Sequence, residues 1–132
     1  MNMTDRNLLE RAAAAMANSY SPYSRFPVGA AIECADGSVF TGCNIENCAL
    51  GSTICAERVA VGNAVSQGHT DFVRIAIISK GTNYCVPCGQ CRQVLMEFAP
   101  NIEVLCARGD GRYVSYNLKS LLASPFTNAN MD

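Results

Sequence analysis

Val73-Arg74-Ile75-Ala76-Ile77-Ile78-Ser79 decides the fold of this 132-residue chain. Side chains alternate between the two faces of a strand, so the unbroken run Ile75 to Ile78 leaves neither face for water. A run of this kind reads as a central strand covered on both sides. Downstream, Pro87 is expected to open a helix that runs through Phe98, with Val94, Leu95 and Phe98 turned inward. Pro100-Asn101 breaks the chain, and Ile102 to Ala107 reads as another strand. Two strands joined by a helix predict a parallel pair with a right-handed crossover.

Outward from this unit the remaining elements follow. Leu8, Leu9, Ala12, Ala13 and Met16 recur at helical spacing within Thr4 to Ser19, and Tyr20-Ser21-Pro22 is expected to end that helix. Val28 to Cys34 and Ser38 to Cys43 read as strands joined by an Asp36-Gly37 hairpin turn. A polar loop, 44–54, leads into a helix over Cys55 to Gln67, stopped by Gly68-His69. Tyr113 to Tyr116 follows Gly109-Asp110-Gly111 as a last strand, and Leu118 to Leu122 as a short terminal helix. The order predicts an α/β fold, one three-layer α-β-α sandwich domain over residues 1–132 around a mixed five-stranded sheet.

Bulk properties narrow the function classes. Hydrophobic residues make up 49% of the chain, enough for one real core at this length. The longest apolar stretches, Ala12 to Ala17 and Ile75 to Ile78, fall far short of the ~20 residues of a membrane span. The start, Met1-Asn2-Met3-Thr4-Asp5-Arg6, lacks the layout of an export signal. Eight cysteines without such a signal imply a reducing, cytoplasmic setting more than a disulfide framework. Net charge is −1 and the ten basic residues are scattered, which argues against a nucleic acid polymer as partner. A small, roughly neutral ligand is expected.

The chemistry concentrates in Cys55-Ala56-Glu57 and Pro87-Cys88-Gly89-Gln90-Cys91. Three thiolates can hold one Zn²⁺ and leave its fourth position open, as catalytic zinc requires. Cys55 and the Cys88/Cys91 pair each fall at a helix start, where the positive helix end favours thiolate over thiol. Three thiolates and one Zn²⁺ sum to −1, which weakens the metal as a Lewis acid. The helix ends offset that charge, and Arg58, three residues after Cys55, is the second source. Glu57 is placed to carry protons beside the open position without binding the metal. Other readings compete. Cys88 and Cys91 alone would suit a redox pair, and Cys85 could close a four-cysteine site. An iron–sulfur ligand set is disfavoured, because the position four beyond Cys91 is Leu95. Cys34, Cys43, Cys48 and Cys106 read as packing residues, and His69 as a solvated turn residue. Asn44 and Glu46, two apart in an extended stretch, share a face and can together donate to and accept from a sugar hydroxyl. Phe26 could lie against a base, although a core role is the simpler reading.

These segments resemble the cytidine deaminase family, in its small three-cysteine zinc type, over roughly Leu9 to Phe126. Beyond the zinc signature, Ser21-Pro22-Tyr23-Ser24-Arg25-Phe26-Pro27-Val28-Gly29-Ala30-Ala31 resembles the family's first strand and its approach. Gly42-Cys43-Asn44-Ile45-Glu46-Asn47 resembles its ribose-binding loop. The resemblance implies zinc on Cys55, Cys88 and Cys91, with Arg58 hydrogen-bonded to the thiolates and Glu57 as proton carrier. It implies that Asn44 and Glu46 hold the ribose 3′-hydroxyl, that Phe26 touches the pyrimidine, and that the Ala56 N–H and Val86 carbonyl read the base edge. It also implies a homotetramer with shared active sites, Phe126 closing a neighbour's pocket. Leu50 stands where the family has a tyrosine, and Val86 replaces a common serine.

The expected activity is hydrolysis of cytidine and 2′-deoxycytidine to the uridine nucleosides and ammonia, within pyrimidine salvage. Rival readings are a sister deaminase of another cytosine nucleoside, such as blasticidin S, and a non-enzymatic zinc protein using Cys85.

Overall fold

The computed structural model describes residues 3–131, so Met1, Asn2 and Asp132 lie outside the described residues. Val73 to Ser79 belongs to strand β3 (Phe72–Ser79), which is central in the sheet. It pairs antiparallel with β1 (Val28–Cys34) on one side and parallel with β4 (Glu103–Ala107) on the other. Strands β2 (Val39–Cys43) and β5 (Tyr113–Asn117) form the edges, both antiparallel, giving the order β2-β1-β3-β4-β5. The expected mixed five-stranded sheet is therefore present.

Helices cover both faces. Helix α1 (Asp5–Met16) places Leu8, Leu9 and Ala12 against Ala31, Ala76, Ile78 and Leu105. On the opposite face, α2 (Ala56–Ser66) and α3 (Gly89–Phe98) bury Ala60, Ala64 and Leu95 against Ala30, Ile32, Ile75, Ile77 and Val104. Every residue of β1 is buried, because alternate side chains meet different helix layers. Arg74, the one charge in β3, sits opposite Glu33 in the β1/β3 register. Its Nε donates to Glu33 Oε1 at 2.9 Å, and Nη1 donates to Asp5, tying α1 to the central strand. The buried Glu33 thus has its partner, as a buried charge requires.

Local chemistry sets the turns. Gly37 adopts φ 89° at the hairpin, where its N–H donates to Cys34 O at 2.9 Å. Gly42 solves a different problem: a Cβ there would lie 2.5 Å from both Ala56 O and Ala60 N. Only glycine lets β2 approach the first turn of α2 so closely.

Three boundaries differ from expectation. Helix α1 ends at Met16 with Ala17 as C-cap, one turn before Tyr20-Ser21-Pro22. Tyr20 is already committed elsewhere, its N–H donating to Asn44 O. Pro87 does not open α3: Cys88 is the N-cap, in extended conformation, and Pro87 precedes it. Finally, Leu118 to Leu122 forms only a 3-10 turn, Leu118–Ser120, capped by the Asn117 side chain.

Candidate active site

The two helix starts of the α2/α3 layer meet at one end of the sheet. Cys55 is the N-cap of α2 and Cys88 the N-cap of α3. An N-cap side chain ordinarily accepts from the helix's own amides, yet neither thiol makes such a bond. Both are free to face a metal. An N-cap side chain naturally lies over the N3 position, and that geometry brings Cys91 beside Cys88, their Sγ atoms 3.6 Å apart. It also brings Arg58 beside Cys55, with Nη2 3.4 Å from Sγ. Cys55 and Cys88 Sγ are 3.9 Å apart, and the three sulfurs all lie within 4.8 Å of one another. Tetrahedral zinc with bonds of about 2.3 Å sets sulfur–sulfur separations of about 3.8 Å. The cluster fits zinc in donor type and spacing.

Cys85 is not in that cluster, which among the described residues is Cys55, Cys88 and Cys91. Burial holds its thiol up at about 11, with Glu57 adding to the shift, so it is a neutral S–H facing the site. Cys55 and Cys91 behave differently. Cys55 is brought down to about 5, first by the hydrogen bond from Cys91 and then by Arg58. Cys91 is raised, first by that same bond and then by burial. A bound metal cation would displace the remaining thiol protons.

Glu57 follows in the first turn of α2 and is buried, 5% exposed. Desolvation is the main force lifting its carboxyl, to about 7, and the Cys55 thiolate adds to it. A carboxyl poised there can both accept and donate a proton near neutrality.

Above these groups opens a cavity of about 260 Å³. Cys55, Cys88 and Glu57 lie at its base, and Phe26, Val28, Cys85 and Val86 form apolar walls. Asn44, Glu46, Ser24 and Thr53 complete the lining. Phe26 is 47% exposed, so the core reading of this residue is overturned. Asn44 is largely spent on the backbone. Its Oδ1 accepts from Val28 N at 2.9 Å and its Nδ2 donates to Phe26 O at 2.9 Å, leaving one Nδ2 hydrogen. Ala56 is fully buried at the cavity base, and its N–H belongs to the helix start that has no intrahelical acceptor.

Other expected residues lie away from the cavity of this chain. Phe126 is 61% exposed beside Met96 and Pro100, its carbonyl accepting from Gln93 Nε2 at 2.7 Å. Leu50 sits exposed on a 3-10 turn, Leu50–Ser52. His69 is far more engaged than a solvated turn residue: Nε2 is 3.2 Å from Asp36 Oδ2, and the ring packs on Phe40 with centroids 4.9 Å apart. A larger open groove lies along Glu33, Arg74 and Glu103, but its arginine is already neutralised by Glu33 and Asp5. Sequence reasoning missed Ser24, Thr53 and Gly42 as parts of the site. Only the Ser-x-Phe-Pro spacing hinted at Ser24.

Fold and site together define a class: an α/β domain with an open three-thiolate zinc site and a buried carboxyl beside it. The family described as cytidine and deoxycytidylate deaminase zinc-binding region matches residues 2–107. A cytidine deaminase of Halalkalibacterium halodurans is 40% identical over 131 residues, covering 98% of this chain and 99% of the relative. One from Mycobacterium tuberculosis strain H37Rv is 46% identical over 94 residues, covering 70% and 71%. The crystal structure of cytidine deaminase from Burkholderia pseudomallei superposes with TM-score 0.91 at 40% identity, covering 94% of this chain and 100% of that one. The chain belongs to the cytidine and deoxycytidylate deaminase family, and its resident metal is zinc.

Proposed function

We propose that this protein hydrolyses the C4 amine of free cytidine and 2′-deoxycytidine, yielding uridine and 2′-deoxyuridine plus ammonia. One observation carries the choice of a free nucleoside. Among the described residues the cavity lining holds no lysine or arginine, and it holds two carboxylates, Glu46 and Glu57. A 5′-phosphate would meet no counter-charge there, and a polynucleotide would find no basic track. The lining suits a flat apolar base with a polar sugar.

Zinc held by Cys55, Cys88 and Cys91 supplies Lewis acidity toward water. Glu57 takes a proton from the attacking water and delivers it to N3, as C4 becomes tetrahedral. It then carries the C4 hydroxyl proton to the amine, which leaves as ammonia while C4 becomes a carbonyl. Arg58 offsets the thiolate charge. Phe26 lies against the ring, and the Ala56 N–H with the Val86 carbonyl orients the base edge. Asn44, through its remaining Nδ2 hydrogen, and Glu46 hold the ribose hydroxyl.

The assembly belongs to the same proposal: a cytoplasmic homotetramer serving pyrimidine salvage, with Phe126 reaching a neighbour's cavity. A single domain over residues 1–132 carries the chemistry. A substrate panel tests the reading. Cytidine and 2′-deoxycytidine are expected to lose their absorbance band, and cytidine 5′-monophosphate and blasticidin S to be poor substrates. Preferential turnover of blasticidin S would favour the sister activity instead.

A further inference from the structure

The segment Ser21 to Phe26 carries an unusual backbone. Arg25 has φ 55°, a left-handed conformation that L residues other than glycine adopt sparingly. Such a conformation persists only where the surroundings over-determine it. Here the Arg25 N–H donates to Ser21 O at 3.0 Å, and one carboxylate holds the residues just before it. Glu46 Oε1 accepts from the N–H of Tyr23 at 2.9 Å and of Ser24 at 3.1 Å. The Ser24 hydroxyl donates to Glu46 Oε2, and its oxygen accepts from the Phe26 N–H at 3.0 Å. Ser24 therefore joins Glu46 to the residue that forms a wall of the cavity, and all three line it.

A carboxylate offers about four acceptor positions, and three are filled by these bonds. The fourth is left for a ligand. The Ser24 hydroxyl is the largest influence holding the Glu46 carboxyl below its usual range, ahead of the Ser24 and Tyr23 amides. It keeps the group charged and, by occupying Oε2, fixes its rotation.

We propose that Ser24 is a positioning residue for sugar recognition: its hydroxyl locks the Glu46 carboxylate and the Phe26 backbone into one unit, so that discrimination for the 3′-hydroxyl depends on it. This rests on the nucleoside reading above. Ser24 does not touch the reacting atoms; it acts through Glu46.

The test compares 2′-deoxycytidine with 2′,3′-dideoxycytidine, which differ only in the 3′-hydroxyl, in wild type, Ser24→Ala and Ser24→Thr. In Ser24→Ala the KM for 2′-deoxycytidine should rise about tenfold, the scale of one hydrogen bond to a charged group. Its kcat should change by less than about threefold, and the KM for 2′,3′-dideoxycytidine should rise by no more than about twofold, the share that the loosened Phe26 backbone has in both substrates. The preference for the 3′-hydroxyl then falls at least about fivefold, and Ser24→Thr restores it. Zinc per chain and turnover of 2′,3′-dideoxycytidine report on folding in the same samples. Equal losses on both substrates, a retained preference in Ser24→Ala, or no rescue by Ser24→Thr would each overturn the proposal. Wild-type protein that fails to distinguish the two nucleosides would instead sink the Glu46 reading, and Ser24's role with it.

Discussion

Glu57 and Cys85 are neighbours across the cavity base whose protonation is set by the same burial. Desolvation lifts both, but the carboxyl stops near neutrality and the thiol well above it. That difference fits the proton-carrying role proposed for Glu57 and leaves Cys85 a neutral wall. It also bears on the rival closed site, in which Cys85 would be a zinc ligand. Geometry decides against it: the ligand atoms of Cys55, Cys88 and Cys91 lie within 4.8 Å of one another, and among the described residues Cys85 is outside that group. Cys85→Ser is therefore expected to retain one zinc per chain, measured by elemental analysis after dialysis. Loss of zinc from that variant would restore the four-cysteine reading. The three ligands and Glu57 were legible as a spacing pattern. The backbone bonds of Asn44 and Ser24 were not, because they depend on which groups a polar side chain meets elsewhere in the fold.

At the scale of elements, the site exists because two helix starts converge, and one glycine permits it. Gly42 lets β2 rest against Ala56 and Ala60, the turn that carries Cys55, Glu57 and Arg58. Gly42→Ala would force that turn outward, at a cost of about 1–3 kcal/mol. The expected result is a lower denaturant midpoint together with weaker zinc retention, since the same shift moves Cys55 away from Cys88. An unchanged midpoint would show that the helix yields without strain. The strands and helices themselves were readable from periodicity. The start of α3 was misplaced by the usual first-turn preference of proline. Here the extended Cys88 takes the cap, so that its thiol and that of Cys91 lie together. The end of α1 differs too: Tyr20-Ser21-Pro22 is the nearest breaker in the sequence, but the helix already ends at Met16.

At the scale of the whole molecule, layer order follows from the apolar run Ile75 to Ile78. Strand β3 is covered on both faces, so α1 must lie on one side and α2 with α3 on the other. Subunit number has no such signature inside one chain. Phe126 is exposed and remote from its own cavity, which agrees with the proposed reach into a neighbour. Under that proposal, sedimentation should give four times the 14.1 kDa chain mass. Phe126→Ala should raise the KM for cytidine several-fold without loss of zinc. A monomer with full activity would contradict the shared site.

The central claim is a zinc-dependent hydrolysis in which Glu57 carries the protons. It is tested most directly by following the cytidine absorbance band on mixing with wild type and Glu57→Gln in parallel, with zinc measured per chain in both. The account predicts one zinc per chain in each, rapid loss of the band with wild type, and turnover lower by about 10²- to 10⁴-fold in the variant. Normal turnover by Glu57→Gln, or none by zinc-loaded wild type, would contradict it.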